Sequence, residues 1–362
     1  MTVSVAIYTL VYIVFVFIGK TGISRHFQKR QDEMKLRNSI SLDNITLIIP
    51  FRNEIHRISP LLQSISQSAE LPKNIIFVDD HSDDNTHEYI KQHLRNIPYQ
   101  LFQNKEKGKK GAIKTGIENS VTPYILTMDA DVTFSPSYFS NLNLLAELDM
   151  HILPVKMSAK GWKKLFELDV YMINGLNVIA DGIKRPIAAS GANLLFKREA
   201  YHQVNSYSSH SSILSGDDQF LLADFNNSGL TVALQTDSSF VVTTPVPNSI
   251  KELVTQRLRW ISKTPKVKDS FALKIGSIQL LTSLGFFLLG IWILINTQFL
   301  VFVLLILIKS IADIVLVKPY FSGIKKQGLL FLIPVYEILL PFYTLILSIM
   351  ALLYKPRWKG RK

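Results

Sequence analysis

The sequence predicts an α/β fold: a doubly wound, mostly parallel sheet, with transmembrane helices at both ends of the chain. Three observations carry this. Strand-like apolar runs at 44–50, 74–80 and 124–129 alternate with helix-like stretches near 58–68, 86–94 and 112–119, the order of a parallel sheet with crossover helices. Apolar runs of about the length needed to cross a bilayer stand near the first residues and through the last quarter of the chain. Each of the three strand-like runs ends in polar or acidic residues, and such sheets bind ligands beyond the carboxyl ends of their strands.

The 362 residues leave room for about two domains. There is no cysteine, which excludes disulfides and thiolate metal sites. A net charge of +12 could point to nucleic acid. Hydrophobic content of 48% points instead to a membrane protein whose basic residues flank its spans, with no nucleic-acid partner.

In order, residues 3–18 form the first uncharged run, followed by Lys20, Arg25, Lys29, Arg30, Lys35 and Arg37. A cleaved signal would carry its positive charge before the run. Here the charge follows, so the run reads as a signal-anchor with the next segment in the cytoplasm. Residues 1–24 are then an anchor, 40–268 a cytoplasmic α/β domain and 269–362 a membrane region. In that region 276–295 and 300–317 can each span. Residues 329–354 form a third run holding Pro334 and Pro341. If this run crosses, the basic tail 355–362 lies outside, against the charge rule. If it is re-entrant, two half-helices hinge at Pro341. Lys309 and Asp313 lie four apart inside a span, with Glu337 in the last run. They read as a helix-pairing contact or as part of an acceptor path.

The chemistry sits at the strand ends. After the first comes Pro50-Phe51-Arg52-Asn53-Glu54, and after the second Asp79-Asp80-His81-Ser82-Asp83-Asp84-Asn85-Thr86. These acids can cap a helix or hold the ribose or base of a nucleotide. Lys105 to Ala112 holds Gly108, Lys109 and Gly111 before a helix, where backbone N–H groups and ammonium groups can meet phosphate. It lacks P-loop spacing. The third strand ends in Asp129-Ala130-Asp131. Residues i and i+2 of a strand point the same way, so two hard oxygen ligands meet at one spot and suit Mg²⁺ or Mn²⁺ shared with substrate phosphates. Farther on, Ser249-x-x-Glu252 is a capping box. Gln256, Arg259 and Trp260 follow on one face of the helix it starts. Arg can fork onto a diphosphate and Trp can stack on a sugar. The alternative is an amphipathic surface helix with Arg257, Lys263, Lys266 and Lys268 at lipid headgroups. His81, His87, His151 and His202 share no metal spacing and read as structural or surface residues.

This order of motifs resembles the family 2 inverting glycosyltransferases, which include cellulose, chitin and hyaluronan synthases and ceramide glucosyltransferase. The resemblance covers about 44–264 and rests on Pro-x-Arg-Asn-Glu, Asp-Asp-x-Ser-x-Asp-x-Thr, the Gly-Lys element, Asp-x-Asp, Ser190-Gly191-Ala192-Asn193, Gly216-Asp217-Asp218 and Gln-x-x-Arg-Trp. It implies a GT-A type fold, a nucleotide-sugar donor, expected to be a UDP-sugar, and a Mn²⁺ or Mg²⁺ ion at Asp129 and Asp131. It implies that Pro50, Arg52, Glu54, Asp79, Asp80, Lys109, Asp129, Gln256 and Arg259 contact the donor. Gly191 and Trp260 face the acceptor. Asp218 is the base, with Asp217 as its fallback. One base without a second nucleophile favours direct displacement with inversion. The expected acceptor is a lipid or lipid-linked glycan, because the active-site helix runs straight into the membrane region. The expected location is a bacterial inner membrane with the catalytic domain in the cytoplasm. Two other readings stand beside it: a processive polysaccharide synthase, and a catalytically idle sugar-nucleotide-binding subunit of an export complex. The polymer synthases carry more membrane helices than this chain, which puts processivity in doubt.

Overall fold

A computed structural model describes residues 2–35, 38–204, 216–263 and 266–353. The chain divides into two compact units. Lys29–Ser158 and Ala188–Pro245 form a sheet unit; Met1–Gln28, Ala159–Ile187 and Val246–Lys362 form a helical unit.

The sheet unit begins with β1 (Ile45–Phe51), β2 (Asn74–Asp79), β3 (Gln100–Gln103) and β4 (Tyr124–Met128). Every residue of β1 and β4 is buried, as expected of central strands covered on both faces, which read as unbroken apolar runs. Burying each Leu, Ile or Phe of these strands contributes about 1.5–3 kcal/mol. Between them run α2 (Ser59–Ser66), α3 (Thr86–His93) and α4 (Lys109–Glu118). Helix α2 buries Leu61, Leu62 and Ile65, an amphipathic spacing. Helix α4 packs on β1 so closely that a Cβ on Gly116 would come within 2.6 Å of Ile48.

The seven-stranded sheet has the order β3-β2-β1-β4-β8-β6-β9, completed by β6 (Met150–Ile152), β8 (Asn193–Lys197) and β9 (Val232–Leu234). All its pairings are parallel except those of β8, which runs against both neighbours. The expected doubly wound, mostly parallel sheet is therefore present, with one reversed strand. A second sheet, β5-β10-β7, joins Thr133–Phe134, Val242–Pro245 and Val155–Ser158. Helices α5 (Tyr138–Asn141), α7 (Arg198–Val204) and α8 (Asp217–Asn227) complete the unit.

The helical unit holds most of α1 (Thr2–Glu33), then α6 (Lys164–Ile183), α9 (Ile250–Ile261), α10 (Ser270–Ile295), α11 (Phe299–Gly323) and α12 (Ile333–Leu353). Among the described residues four helices, at both ends of the chain, are long and apolar enough to cross a membrane. Pro341 lies inside the single helix α12, not between the two half-helices of the re-entrant alternative. The tail after residue 353 falls outside the described residues. Lys309 on α11 pairs with Asp313 at 2.7 Å and with Glu337 on α12, and Tyr12 of α1 donates to Asp313. These charges tie three helices together, the helix-pairing role the sequence allowed.

Helix α6 organises this unit. Its acids each meet a distant partner: Glu167 takes Lys326, Asp169 takes Arg257 at 2.7 Å and Tyr336 at 2.9 Å, and Asp181 takes His26 at 2.6 Å. Glycines let α6 touch its neighbours: a Cβ on Gly182 would sit 1.6 Å from the Gly22 carbonyl oxygen of α1.

Candidate active site

The sheet order reverses between β1 and β4: β2 and β3 lie on one side of β1, and β4, β8, β6 and β9 on the other. That switch point is where doubly wound sheets open a crevice at the strands' carboxyl ends. Pairing of β1 with β4 stops at Ile48–Thr127, just before Pro50, which has no N–H to continue it. Pro50 itself is buried in β1, where its contribution to the crevice is to part the two strands.

The loops at this edge are bound to each other. Asn53 holds a left-handed φ of 52°, and His81 one of 59°, the kind of local strain that persists only where surroundings enforce it. Here they do. Asn53 N–H donates to Ser82 Oγ at 3.1 Å, and Asp83 N–H to Asn53 Oδ1 at 2.9 Å. Glu54 N–H donates to Thr86 Oγ1 at 2.9 Å, and Ile55 N–H to Asp84 Oδ2 at 3.1 Å. The Ser, Asp and Thr of the Asp-Asp-x-Ser-x-Asp-x-Thr stretch thus fasten the Arg52–Glu54 loop, a role the sequence reading missed.

Asp79 and Asp80 are buried at the end of β2. Asp79 accepts from Ser82 N–H at 2.8 Å. Asp80 Oδ1 accepts from Asn104 Nδ2 at 2.7 Å and Gly108 N–H at 2.8 Å. Gly108 has a φ of 99°, open to glycine and strained for other residues. Asp80 therefore fixes the turn that starts α4, whose first residue is Lys109. Lys109 reaches across to Asp129 Oδ1 at 2.7 Å.

The acids after β4 are half-buried. Arg57 stands between two carboxylates, with Nη2 2.7 Å from Glu54 and Nη1 3.7 Å from Asp131. Arg57 was not foreseen; its one sequence signal is the spacing of three from Glu54. Burial pushes the Asp131 carboxyl up to about 6, and the charges of Asp129 and Glu54 add to it. A divalent cation would relieve this crowding, so the donor set fits Mg²⁺ or Mn²⁺. Among the described residues no three acids, histidines or cysteines gather as a complete cage. Asp129 and Asp131 would hold such an ion with the remaining positions left to phosphate oxygens and water.

Antiparallel β8 starts beside the end of β4, Met128 opposite Asn193. This brings the Ser190–Asn193 loop to the same edge as Asp129. Asn193 is fully buried and structural: it accepts from Tyr138 Oη at 2.5 Å and donates to the carbonyls of Pro154 and Phe240. Gly191 N–H donates to Asp218 Oδ2 at 3.1 Å. Asp218 lies in the first turn of α8 after Gly216, at φ 88°. Gln219 adds a bond to the Ala189 carbonyl at 2.8 Å. The structure thus joins Asp218 with the Gly191 loop. The side chain of Asp217 falls outside the described residues.

In the helical unit, α9 starts as expected: Ser249 Oγ accepts from Glu252 N–H at 3.2 Å, while Glu252 reaches back to Asn248 N–H at 2.8 Å. Arg257 corrects the headgroup reading. It is buried, forked onto Asp169 through Nε at 2.8 Å and Nη2 at 2.7 Å. Its Nη1 donates to Gln256 Oε1 at 3.0 Å, and its guanidinium lies 4.2 Å from the Trp260 ring centre. Lys263 is buried too, whereas Lys266 and Lys268 are exposed. Arg257 thereby fixes both Gln256 and Trp260. Arg259, half-exposed, leaves its Nε without a hydrogen-bond partner among the described residues.

An open α/β sheet with acids at its switch point defines a nucleotide-sugar-transferase architecture of GT-A type. A mannosyltransferase from Pyrobaculum calidifontis, solved with GDP-Man and Mn²⁺, shares the fold at a TM-score of 0.52 and 16% identity, over 89% of this chain and 99% of that one. The chain belongs to glycosyl transferase family 2: the model of that family matches residues 46–166, and that of glycosyl transferase family group 2 matches 124–354, more than half the chain. Among curated relatives, 4,4'-diaponeurosporenoate glycosyltransferase of Staphylococcus haemolyticus is 35% identical over 101 residues, 27% of each protein. Its counterpart in a bovine strain of Staphylococcus aureus is 27% identical over 202 residues, 52% of this chain and 53% of the relative. The chain thus aligns with about half the length of that relative or less.

Proposed function

We propose that this protein is a membrane-anchored inverting glycosyltransferase that moves a sugar from a nucleotide diphosphate donor, a UDP-sugar, to a lipid or lipid-linked glycan acceptor. The observation that carries this reading is that the Asp129–Asp131 acids follow β4 at the sheet edge where β8 enters, beside the Gly191 loop whose N–H meets Asp218. Relatives named for 4,4'-diaponeurosporenoate, together with the helices long and apolar enough to span, support a lipid-like acceptor. In this reading residues 1–24 anchor the chain, 40–268 act in the cytoplasm and 269–362 lie in a bacterial inner membrane.

The reaction follows from the residues. Asp218 takes the proton of the acceptor hydroxyl. The hydroxyl oxygen bonds to the anomeric carbon from the face opposite the leaving group. The bond from that carbon to the diphosphate breaks, and its electron pair leaves with the nucleoside diphosphate. One displacement inverts the configuration. Gln256 and Arg259 hold the departing diphosphate, and Lys109 adds a positive charge. Arg52, Glu54, Asp79 and Asp80 shape the nucleotide end, the last two through the loops they fasten. Trp260 and Gly191 align the acceptor. A Mg²⁺ or Mn²⁺ ion at Asp129 and Asp131 would supply electrostatic stabilisation of the leaving group.

The test offers purified full-length protein a panel of UDP- and GDP-sugars with Mn²⁺ or Mg²⁺ and membrane lipid extract. Release of nucleoside diphosphate with a labelled lipid product is expected, and Asp131→Ala abolishes it. Release unchanged in Asp131→Ala removes the metal from the mechanism. Long polymer as product would favour a processive synthase; donor binding without any turnover would favour an idle subunit.

A further inference from the structure

Residues 160–164, Lys-Gly-Trp-Lys-Lys, lead into α6 and take no part in the chemistry above. Gly161 turns the chain at φ 59° into open space, and a short 3-10 turn (Gly161–Lys163) delivers it to α6. Trp162 is 56% exposed, held edge-on against Phe166 at 5.0 Å between ring centres. Lys160 and Lys164 are exposed and Lys163 half-exposed. Among the described residues none of the three lysines is paired with an acid. A large aromatic ring in solvent beside three unpaired cations fits a membrane–water boundary.

The packing of α6 gives its level. Along its length it meets Lys326 through Glu167, Tyr336 through Asp169, Val317 through Gly175 and Gly22 through Gly182. Each of these partners lies in, or next to, the half of a candidate span that adjoins a basic segment: 318–327 for α11 and α12, 20–30 for α1. Helix α6 therefore runs across one end of the bundle, and residues 160–164 sit at that same level. Lys318 and Lys325, also exposed, extend the positive surface.

We infer that residues 160–164 are an interfacial anchor that binds anionic lipid headgroups through Lys160, Lys163 and Lys164 while Trp162 seats at the headgroup–acyl boundary. This rests on the reading that the candidate helices cross a bilayer. Charge complementarity names the occupant, since the anionic phosphates of a lipid surface match unpaired lysines and a protein groove would not require the ring to stay amphipathic.

The chain has no cysteine, so single nitroxide labels can be placed cleanly. The full-length protein, labelled at Trp162→Cys, would be reconstituted in nanodiscs of phosphatidylcholine with and without phosphatidylglycerol. Access of oxygen and of a water-soluble nickel complex would then be measured. Labels at Ile308→Cys on α11 and Val121→Cys on the sheet unit serve as lipid and water references. The expected result is a label at the boundary, with nickel access falling about twofold or more when the anionic lipid is added. Changing Lys160, Lys163 and Lys164 to Gln should remove that fall. Brominated lipid should also quench the emission of the unlabelled protein more than that of Trp162→Phe. The anchor is overturned if the Ile308 label lies in lipid while the label at 162 matches the Val121 reference. An Ile308 label in water would instead overturn the membrane reading beneath it.

Discussion

Inside the sheet unit His151 has both ring nitrogens committed. Nε2 donates to the Ala146 carbonyl at 2.8 Å, and Nδ1 accepts from the Gln235 amide at 3.2 Å. Full burial pushes its pKa down to about 4. Between pH 6.5 and 4 the unfolded chain takes up a proton that the folded one refuses. Stability should therefore fall as pH drops through this window, by about 3 kcal/mol from this group alone. Unfolding of wild type and His151→Asn, followed from pH 7 to pH 4, checks this: the variant should show the smaller loss. Arg257 invites a second test. Removing one member of a buried ion pair strands the other charge, at a cost of about 3–5 kcal/mol. Arg257→Met or Asp169→Leu alone should each destabilise the protein by that order, and the double variant by less than their sum. Additive losses in unfolding measurements would show that the two residues act separately. Arg257 was misread from sequence because a charge on an amphipathic helix looks like a surface charge; only its partner at Asp169, 88 residues earlier, reveals otherwise.

At the scale of elements, the strands were legible and α6 was not. β1, β2 and β4 announce themselves because central parallel strands are apolar throughout and end abruptly in polar residues. The Ser249–Glu252 cap was legible because capping is local. Helix α6 mixes Glu167, Asp169 and Asp181 into an otherwise apolar stretch, and each acid is explained by a residue far away in sequence. Its glycines are equally silent until packed. Gly182→Ala drives a Cβ into the Gly22 carbonyl, and a backbone atom cannot swing aside as a side chain can. A loss of about 2 kcal/mol or more is expected in thermal unfolding in detergent. Gly276→Ala, on α10 with nothing within 4 Å, should be neutral or raise stability by up to about 1 kcal/mol. Equal effects of the two would refute the close α1–α6 crossing.

For the whole molecule, sheet direction and strand order decide where chemistry can occur. The acids of Asp-x-Asp were read as a pair from the two-residue repeat of a strand, but β4 ends at Met128 and both acids lie in the turn after it. That Asp218 joins the Gly191 loop was not readable from pattern, since it depends on reversed β8 entering beside β4. Only the family resemblance pointed to it. The helices able to cross a membrane were legible from run length alone, whereas the continuity of α12 through Pro341 was not, because proline marks a kink more often than a straight helix. The most direct test of the catalytic assignment pairs calorimetric donor binding with nucleoside diphosphate release in wild type and Asp218→Asn. The account predicts donor affinity within about twofold of wild type and turnover lowered by about 100-fold or more. Turnover at the wild-type rate, with the protein folded and donor bound, would contradict it.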